Sequence, residues 1–254
     1  MPVFAVLRQP RWIGLAVVAL LIASLCLVAA RWQWHRRAGR LAHNALVTSH
    51  QAADPVSPDQ VLATGEPLAP ADEYTMIGAS GTWDPAHQVL ARNHLGRAGY
   101  DVLTPFVTDS GSALLVDRGW IPLSQAGAGA APDVPVPTAG EVSVVVRMRQ
   151  TETAGANDRP PPGQVYAIDV PLIAAGLPYP VYGGYGELVS QDPALGSTPQ
   201  LPDSPDLGTG PHLIYAVQWV CFALIALVGY VLLVRREVGE RRRKVSDEEP
   251  VAAG

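Results

Sequence analysis

The sequence predicts a membrane protein of the α+β class: two transmembrane helices flanking one antiparallel, β-rich extracytoplasmic domain. Three observations predict it. Residues 12–30 and 213–234 are apolar runs without one charged side chain, and each is close to the roughly 20 residues that cross a roughly 30 Å hydrocarbon core at about 1.5 Å per residue. The polar stretch between them alternates β-branched and aromatic segments with Gly- and Pro-rich ones. Basic side chains crowd the ends of the chain, with Arg8 and Arg11 before the first run and Arg235, Arg236, Arg241, Arg242, Arg243 and Lys244 after the second.

Taken in order, residues 1–11 read as a cytoplasmic N-terminus and 12–30 as the first span. Residues 31–212 read as the extracytoplasmic domain, 213–234 as the second span and 235–254 as a cytoplasmic basic tail, charged and disordered after Arg243. The orientation rests on the excess of Lys and Arg at cytoplasmic ends. Arg31, Arg36, Arg37 and Arg40 oppose it, but the second span, preceded by Asp203 and Asp206 and followed by six basic residues, is the cleaner case. Arg8, Arg11 and the Val28-Ala29-Ala30 segment also suit a cleavable signal peptide; the length of the run and the adjacent Arg31 favour a retained span. Seventeen Arg against one Lys suit a GC-rich bacterial genome. The expected location is a bacterial plasma membrane, crossed twice, with both termini cytoplasmic.

The central stretch carries 10 basic and 18 acidic side chains, a net charge of −8, which makes nucleic acid a poor partner. Both cysteines, Cys26 and Cys221, fall in the spans, where they read as small buried packers, so the domain has no disulfide or thiolate chemistry. Strands are expected over 74–83, 100–107, 113–116, 141–148, 164–168 and 181–189. Asp109-Ser110-Gly111-Ser112 is a hairpin turn, and Val142, Val144 and Val146 alternate as in a half-buried strand. Pro105 points to an edge or a bend. Residues 169–175 suit a short helix with Asp169 as N-cap and Pro171 in its first turn. Residues 54–70, 124–140 and 193–211 read as loops, and about 170 residues suffice for one core.

No G-x-S-x-G, H-E-x-x-H, phosphate-binding loop or G-x-G-x-x-G occurs, which moves weight away from an enzyme. His43 with His50, and His87 with His94, stand seven apart without a carboxylate or cysteine to complete a metal set, and are expected to be solvent-exposed histidines.

Four segments carry a resemblance. They are Trp32-Gln33-Trp34-His35-Arg36; Arg92 with Gly99-Tyr100-Asp101-Val102-Leu103-Thr104-Pro105; Val116-Asp117-Arg118-Gly119-Trp120-Ile121-Pro122; and His212-Leu213-Ile214-Tyr215-Ala216-Val217-Gln218-Trp219. In this order, between two terminal spans, they resemble the Surfeit locus protein 1 family of cytochrome c oxidase assembly factors. The chain departs from the family at Ala29-Ala30, where Leu-Gly is usual. The resemblance implies a haem a binder that assists insertion of the cofactor into the catalytic subunit of the haem-copper oxidase, with oxidase subunits and the bilayer as partners.

Within that frame the residues take these expectations. His212, Tyr215, Trp219 and Phe222 follow one another at i, i+3, i+7 and i+10, on one helix face. His212 is then the candidate axial ligand of haem iron, with Tyr215 and Trp219 as flat walls; the same residue types also form interfacial belts. His35 lies near a membrane end on the same side, by topology alone. Trp32 and Arg36 share a face if the first helix continues, and Arg36 pairs either with a haem propionate or with lipid phosphate. Arg118, Gly119 and Trp120 either aim Arg118 and Trp120 at the membrane or a partner, or form a β-bulge with Trp120 in the core and Arg118 paired to Asp117 or Asp101. Arg92 and Asn93 carry the same two readings. The alternatives to a haem-binding factor are a cofactor-free scaffold for oxidase assembly and an unrelated two-span extracytoplasmic sensor.

Overall fold

The computed structural model describes residues 2–123, 132–194, 196 and 198–247. In chain order the elements are α1 (Pro2–Leu7), α2 (Pro10–Gln51), β1 (Met76–Trp83), β2 (Val89–Arg92), β3 (Tyr100–Thr108), β4 (Ala113–Ile121), β5 (Val142–Gln150), β6 (Gln164–Val165), α3 (Val170–Ala174), β7 (Val181–Asp192) and α4 (His212–Asp247). They form two compact units. One is helical, Met1–His43 with Leu207–Gly254; the other, Asn44–Asp206, holds the sheet.

The helical unit shows what the apolar runs leave open. Both runs are parts of longer helices: α2 has 42 residues and α4 has 36, about 63 and 54 Å at the α-helical rise. The tail expected to be disordered after Arg243 continues as helix to Asp247. The apolar windows are only 22% and 11% buried, whereas a core helix of a soluble protein hides most of its apolar surface. The two helices are long and apolar enough to cross a bilayer.

They meet along a seam of small residues. On α2 the buried positions Trp12, Ala19, Ala23, Cys26 and Ala30 recur with the four-three spacing of a heptad, and on α4 Ala216, Ala223, Val234 and Val238 answer them. Trp219 packs against Ala23, Cys26 and Ala223, and Tyr230 meets Trp12 edge-on at 6.4 Å. Among lipid tails no hydrophobic force pushes helices together, so side-chain packing such as that of Trp219 on Ala23 and Cys26 holds the pair. Cys26 is the small packer expected; Cys221 is exposed on the outside of the pair, which corrects the expectation for that residue.

The sheet is mixed, not antiparallel. Its order is β1-β5-β7-β4-β3-β2-β6, and β1 also pairs with β3, so β1, β5, β7, β4 and β3 close on themselves while β2 and β6 extend from β3. The β4–β7 and β2–β6 pairings are parallel. Parallel neighbours need a long crossover, here the chain through β5, β6 and α3. Such a pairing leaves no local mark in the sequence. Inside the closed sheet lie Ile77, Phe106, Leu114, Val116, Val144, Val146, Met148 and Leu188. On its outer face Leu103, Leu115, Val181 and Tyr185 are covered by Ile168 and Val170. Strands β3 and β4 are therefore buried on both faces, the reason for their unbroken apolar runs.

Pro105 sits inside β3 and not at an edge. It falls where the neighbour of β3 changes from β2, paired at residues 100–103, to β1, paired at 106–108. Its carbonyl accepts from Asp84 N at 2.9 Å across that gap, the side on which a proline lacks a donor. The 109–112 turn joins β3 to β4, and Asp169 caps α3 through Leu172 N at 3.1 Å. The 164–168 strand is two residues long, the 181–189 strand runs on to Asp192, and β2 was not anticipated. Residues 124–131 of the 124–140 loop lie outside the described residues.

Candidate functional site

His212 is the first residue of α4. It follows Gly210, whose φ of +63° and whose place against the imidazole, where a Cβ would lie 3.3 Å from Nε2, both call for glycine. His212 Nδ1 is 2.9 Å from Oε1 of Gln33 on α2. With that amide oxygen as the acceptor, Nδ1 is the donor and Nε2 keeps its lone pair. Beside it an open cleft of about 470 Å³ is lined by His35, Arg36, Gly39, Arg40 and His212. That is the size of a small-ligand site, with two imidazoles, two guanidinium groups and, at Gly39, no side chain. The Arg36 guanidinium lies 5.7 Å from the centre of the Trp32 ring, which realises the expected shared face.

The other α4 residues are divided. Trp219 is turned into the helix seam, while Tyr215 and Phe222 are exposed at 46% and 42%. The four expected on one face thus split, because the packed stripe is 212, 216, 219 and 223, and positions 215 and 222 fall to its flank. Tyr215 and Trp219 do not line the His212 cleft; His35, Gly39 and Arg40 do. Of these, only His35 had a signal in the sequence, through its place beside the first span. A separate apolar groove of about 360 Å³ runs past Ala30, Arg31, Trp34, Leu213, Ala216, Val217, Val220 and Cys221.

In the sheet unit, the Arg118-Gly119-Trp120 segment is a bulge, as in one of the two readings, but Trp120 is outside the core and Arg118 is buried without Asp117 or Asp101 as partner. Between the pairs Asp101–Trp120 and Leu103–Asp117 the register slips by one residue on β4, so the inside–outside alternation reverses. Arg118 points into the closed sheet and is fully buried. Its Nη1 donates to Gln88 Oε1 at 3.2 Å and to Pro135 O at 3.1 Å. Among the described residues its Nε and Nη2 have no partner, and its guanidinium sits 5.7 Å from the Trp83 ring centre. Neither Asp117 nor Asp101 pairs with it, and burial lowers it to about 10. Trp120 instead lies half-exposed on the outer face under the Arg97 guanidinium, 4.0 Å from the ring centre. Gly119, at φ +128°, permits the bulge and lets Gln200 approach, since a Cβ there would meet Gln200 O at 2.2 Å. Trp120 and Gln200 exchange backbone hydrogen bonds at 2.7 and 2.9 Å. Arg92 ends β2 opposite Tyr100, half-buried.

Outside the sheet, a charged cleft of about 340 Å³ includes His94, Arg97, Asp101, Asp117, Trp120, Arg149, Glu187 and Asp203 along its walls. His94, expected at the surface, is buried and clamped between Asp101 Oδ2 at 2.7 Å and Glu152 Oε1 at 2.8 Å. Burial alone would depress its imidazole, but the two carboxylates outweigh it and push it up to about 10. Asp117 is buried too, and burial together with the Asp101 charge pushes its carboxyl up to about 8, against the Gly119 N–H bond that lowers it. Arg147 and Arg149 both pair with Glu187, at 2.5 and 3.1 Å. His87 bonds Asp84 at 2.7 Å and His50 lies 2.7 Å from the Glu73 carbonyl oxygen, both half-buried or nearly so. Glu152 and Glu187 reach this cluster from distant parts of the chain, which spacing alone does not reveal, whereas Asp84 and Asp101 stand three and seven residues from their histidines.

Comparison with known proteins gives one family and a set of relatives. The model of the SURF1 family matches residues 20–224. An uncharacterised SURF1-like protein of Mycobacterium bovis is 32% identical over 259 residues, covering 98% of this chain and 93% of the relative. Uncharacterised SURF1-like proteins of two Mycobacterium tuberculosis strains match to the same extent.

Proposed function

This chain belongs to the SURF1 family, a family of cytochrome oxidase assembly factors, and from that premise we propose that it holds haem a transiently at His212 and assists its insertion into the oxidase's catalytic subunit. The observation that carries the reading is the cleft beside His212, with Nε2 of the imidazole free of the Gln33 bond and Arg36 on the same wall. A porphyrin supplies four ligands to its own iron, so one or two imidazoles complete the set. His212 Nε2 would hold the iron, His35 stands in the same cleft, and the planar fork of Arg36 would pair with a propionate. Gly39 adds no side chain to the cleft. Trp219 contributes through the seam that fixes α4 against α2, and Tyr215 on the flank faces lipid or the oxidase.

The two long helices cross the plasma membrane in this reading, with both termini cytoplasmic and the sheet unit outside. Alkaline phosphatase fused at residue 150 is then active and a cytoplasmic reporter there is silent. For the function, membranes of cells lacking the protein should lose the oxidase haem bands and oxygen uptake by the oxidase. Wild type restores both, and His212→Ala restores little. Intact oxidase bands in the deletion strain would exclude an assembly role. Full rescue by His212→Ala would favour the cofactor-free scaffold instead.

A further inference from the structure

A histidine that binds iron needs one nitrogen bare and its ring held at a fixed angle. At a helix end, nothing in the histidine itself secures either condition, because the neutral imidazole exchanges its proton between two nitrogens and the ring turns about two side-chain bonds. Here a side chain from the other helix does both. Gln33 lies on the α2 seam, one heptad after Cys26, and its Oε1 stands 2.9 Å from His212 Nδ1. Gly210 stands beside the Nε2–Cδ2 edge of the ring and puts no side chain against it. We propose that Gln33 is a positioning residue. By accepting the Nδ1 proton it locks His212 into the tautomer whose Nε2 lone pair is available, and it fixes the plane in which that lone pair points. Outer partners of this kind raise the basicity of a ligating imidazole and hold its orientation. The same bond ties the first turn of α4 to α2, so the site is assembled only when the two helices are packed.

The role in cofactor binding rests on the haem reading above, but the tautomer does not, and the test separates them. Full-length protein in nanodiscs, free of haem and labelled with ¹⁵N in the histidine rings, gives the His212 signals by difference from His212→Ala. Wild type should show the Nδ1-protonated pattern, with Nε2 at the shift of a bare ring nitrogen. Gln33→Leu should give a mixture of tautomers. Gln33→Glu, which keeps an acceptor in the same place, should restore the single form. Equal tautomer ratios in wild type and Gln33→Leu, or an Nε2-protonated wild type, would overturn the role of Gln33 whatever the protein binds. On protein carrying haem a, Gln33→Leu should weaken binding about 10- to 100-fold, and Gln33→Glu should lower the midpoint potential by making the imidazole a stronger donor. A fixed tautomer with no haem retained would uphold the positioning of His212 and reject the haem reading alone. An unchanged potential and affinity in both variants would reject Gln33 as a tuner of the cofactor.

Discussion

Arg118 is the residue at which local chemistry and burial disagree most. A guanidinium with two unpartnered nitrogens inside a closed sheet pays a desolvation cost that two neutral acceptors and an indole face do not return. Arg118→Met, of similar volume, should therefore leave the full-length protein as stable or more stable, by up to about 1–4 kcal/mol in equilibrium unfolding; a clear loss would mean that the charge is paired. Asp117 and His94 set the pH response. Each binds a proton more tightly folded than unfolded, Asp117 between its ordinary value and about 8, His94 between its ordinary value and about 10. Stability contributed by both is therefore present at pH 5.5 and declines as the pH rises to 8.5, since over that range the folded state holds more protons than the unfolded one. Thermal midpoints should fall across that interval, and Asp117→Asn should flatten the fall. A wild-type midpoint that rises would contradict the protonation states described. At this scale the sequence named the Arg-Gly-Trp segment and even a bulge there, but not which side chain enters the core, because one slipped residue reverses the alternation.

Among the elements, the helix pair was legible as hydropathy and illegible as packing. Any apolar run of 20 residues reads as a span, whereas the seam depends on which alanines recur at four and three. Ala223 is 3% exposed between Trp219 and the α2 alanines. Ala223→Leu should force the helices apart and cost about 1–3 kcal/mol in steric-trap unfolding in bicelles. Ile225→Leu, at an exposed position of α4, serves as the control and should be neutral. Equal effects of the two would place the seam elsewhere. The strands tell the same story. The β5 alternation was plain because Val142, Val144 and Val146 face in while Ser143 and Arg147 face out. The parallel β4–β7 pairing was not, because it joins residues 113–117 to 181–187.

The whole molecule combines a helical hairpin with a cleft at His212 and an acidic sheet unit with a charged cleft. The hairpin was written in composition and the family segments marked both units, yet the cleft itself was only half legible. His212, Trp32 and Arg36 were expected, but Gln33, Gly39 and Arg40 join them only because α2 continues as a helix well past Ala30. The most direct measurement is the reduced-minus-oxidised spectrum of full-length protein purified from cells that make haem a, read beside its haem-to-protein ratio. The account predicts haem a in the wild type and its loss from His212→Ala, with the variant still folded by circular dichroism. A wild type devoid of haem, or a variant that retains it undiminished, would contradict it.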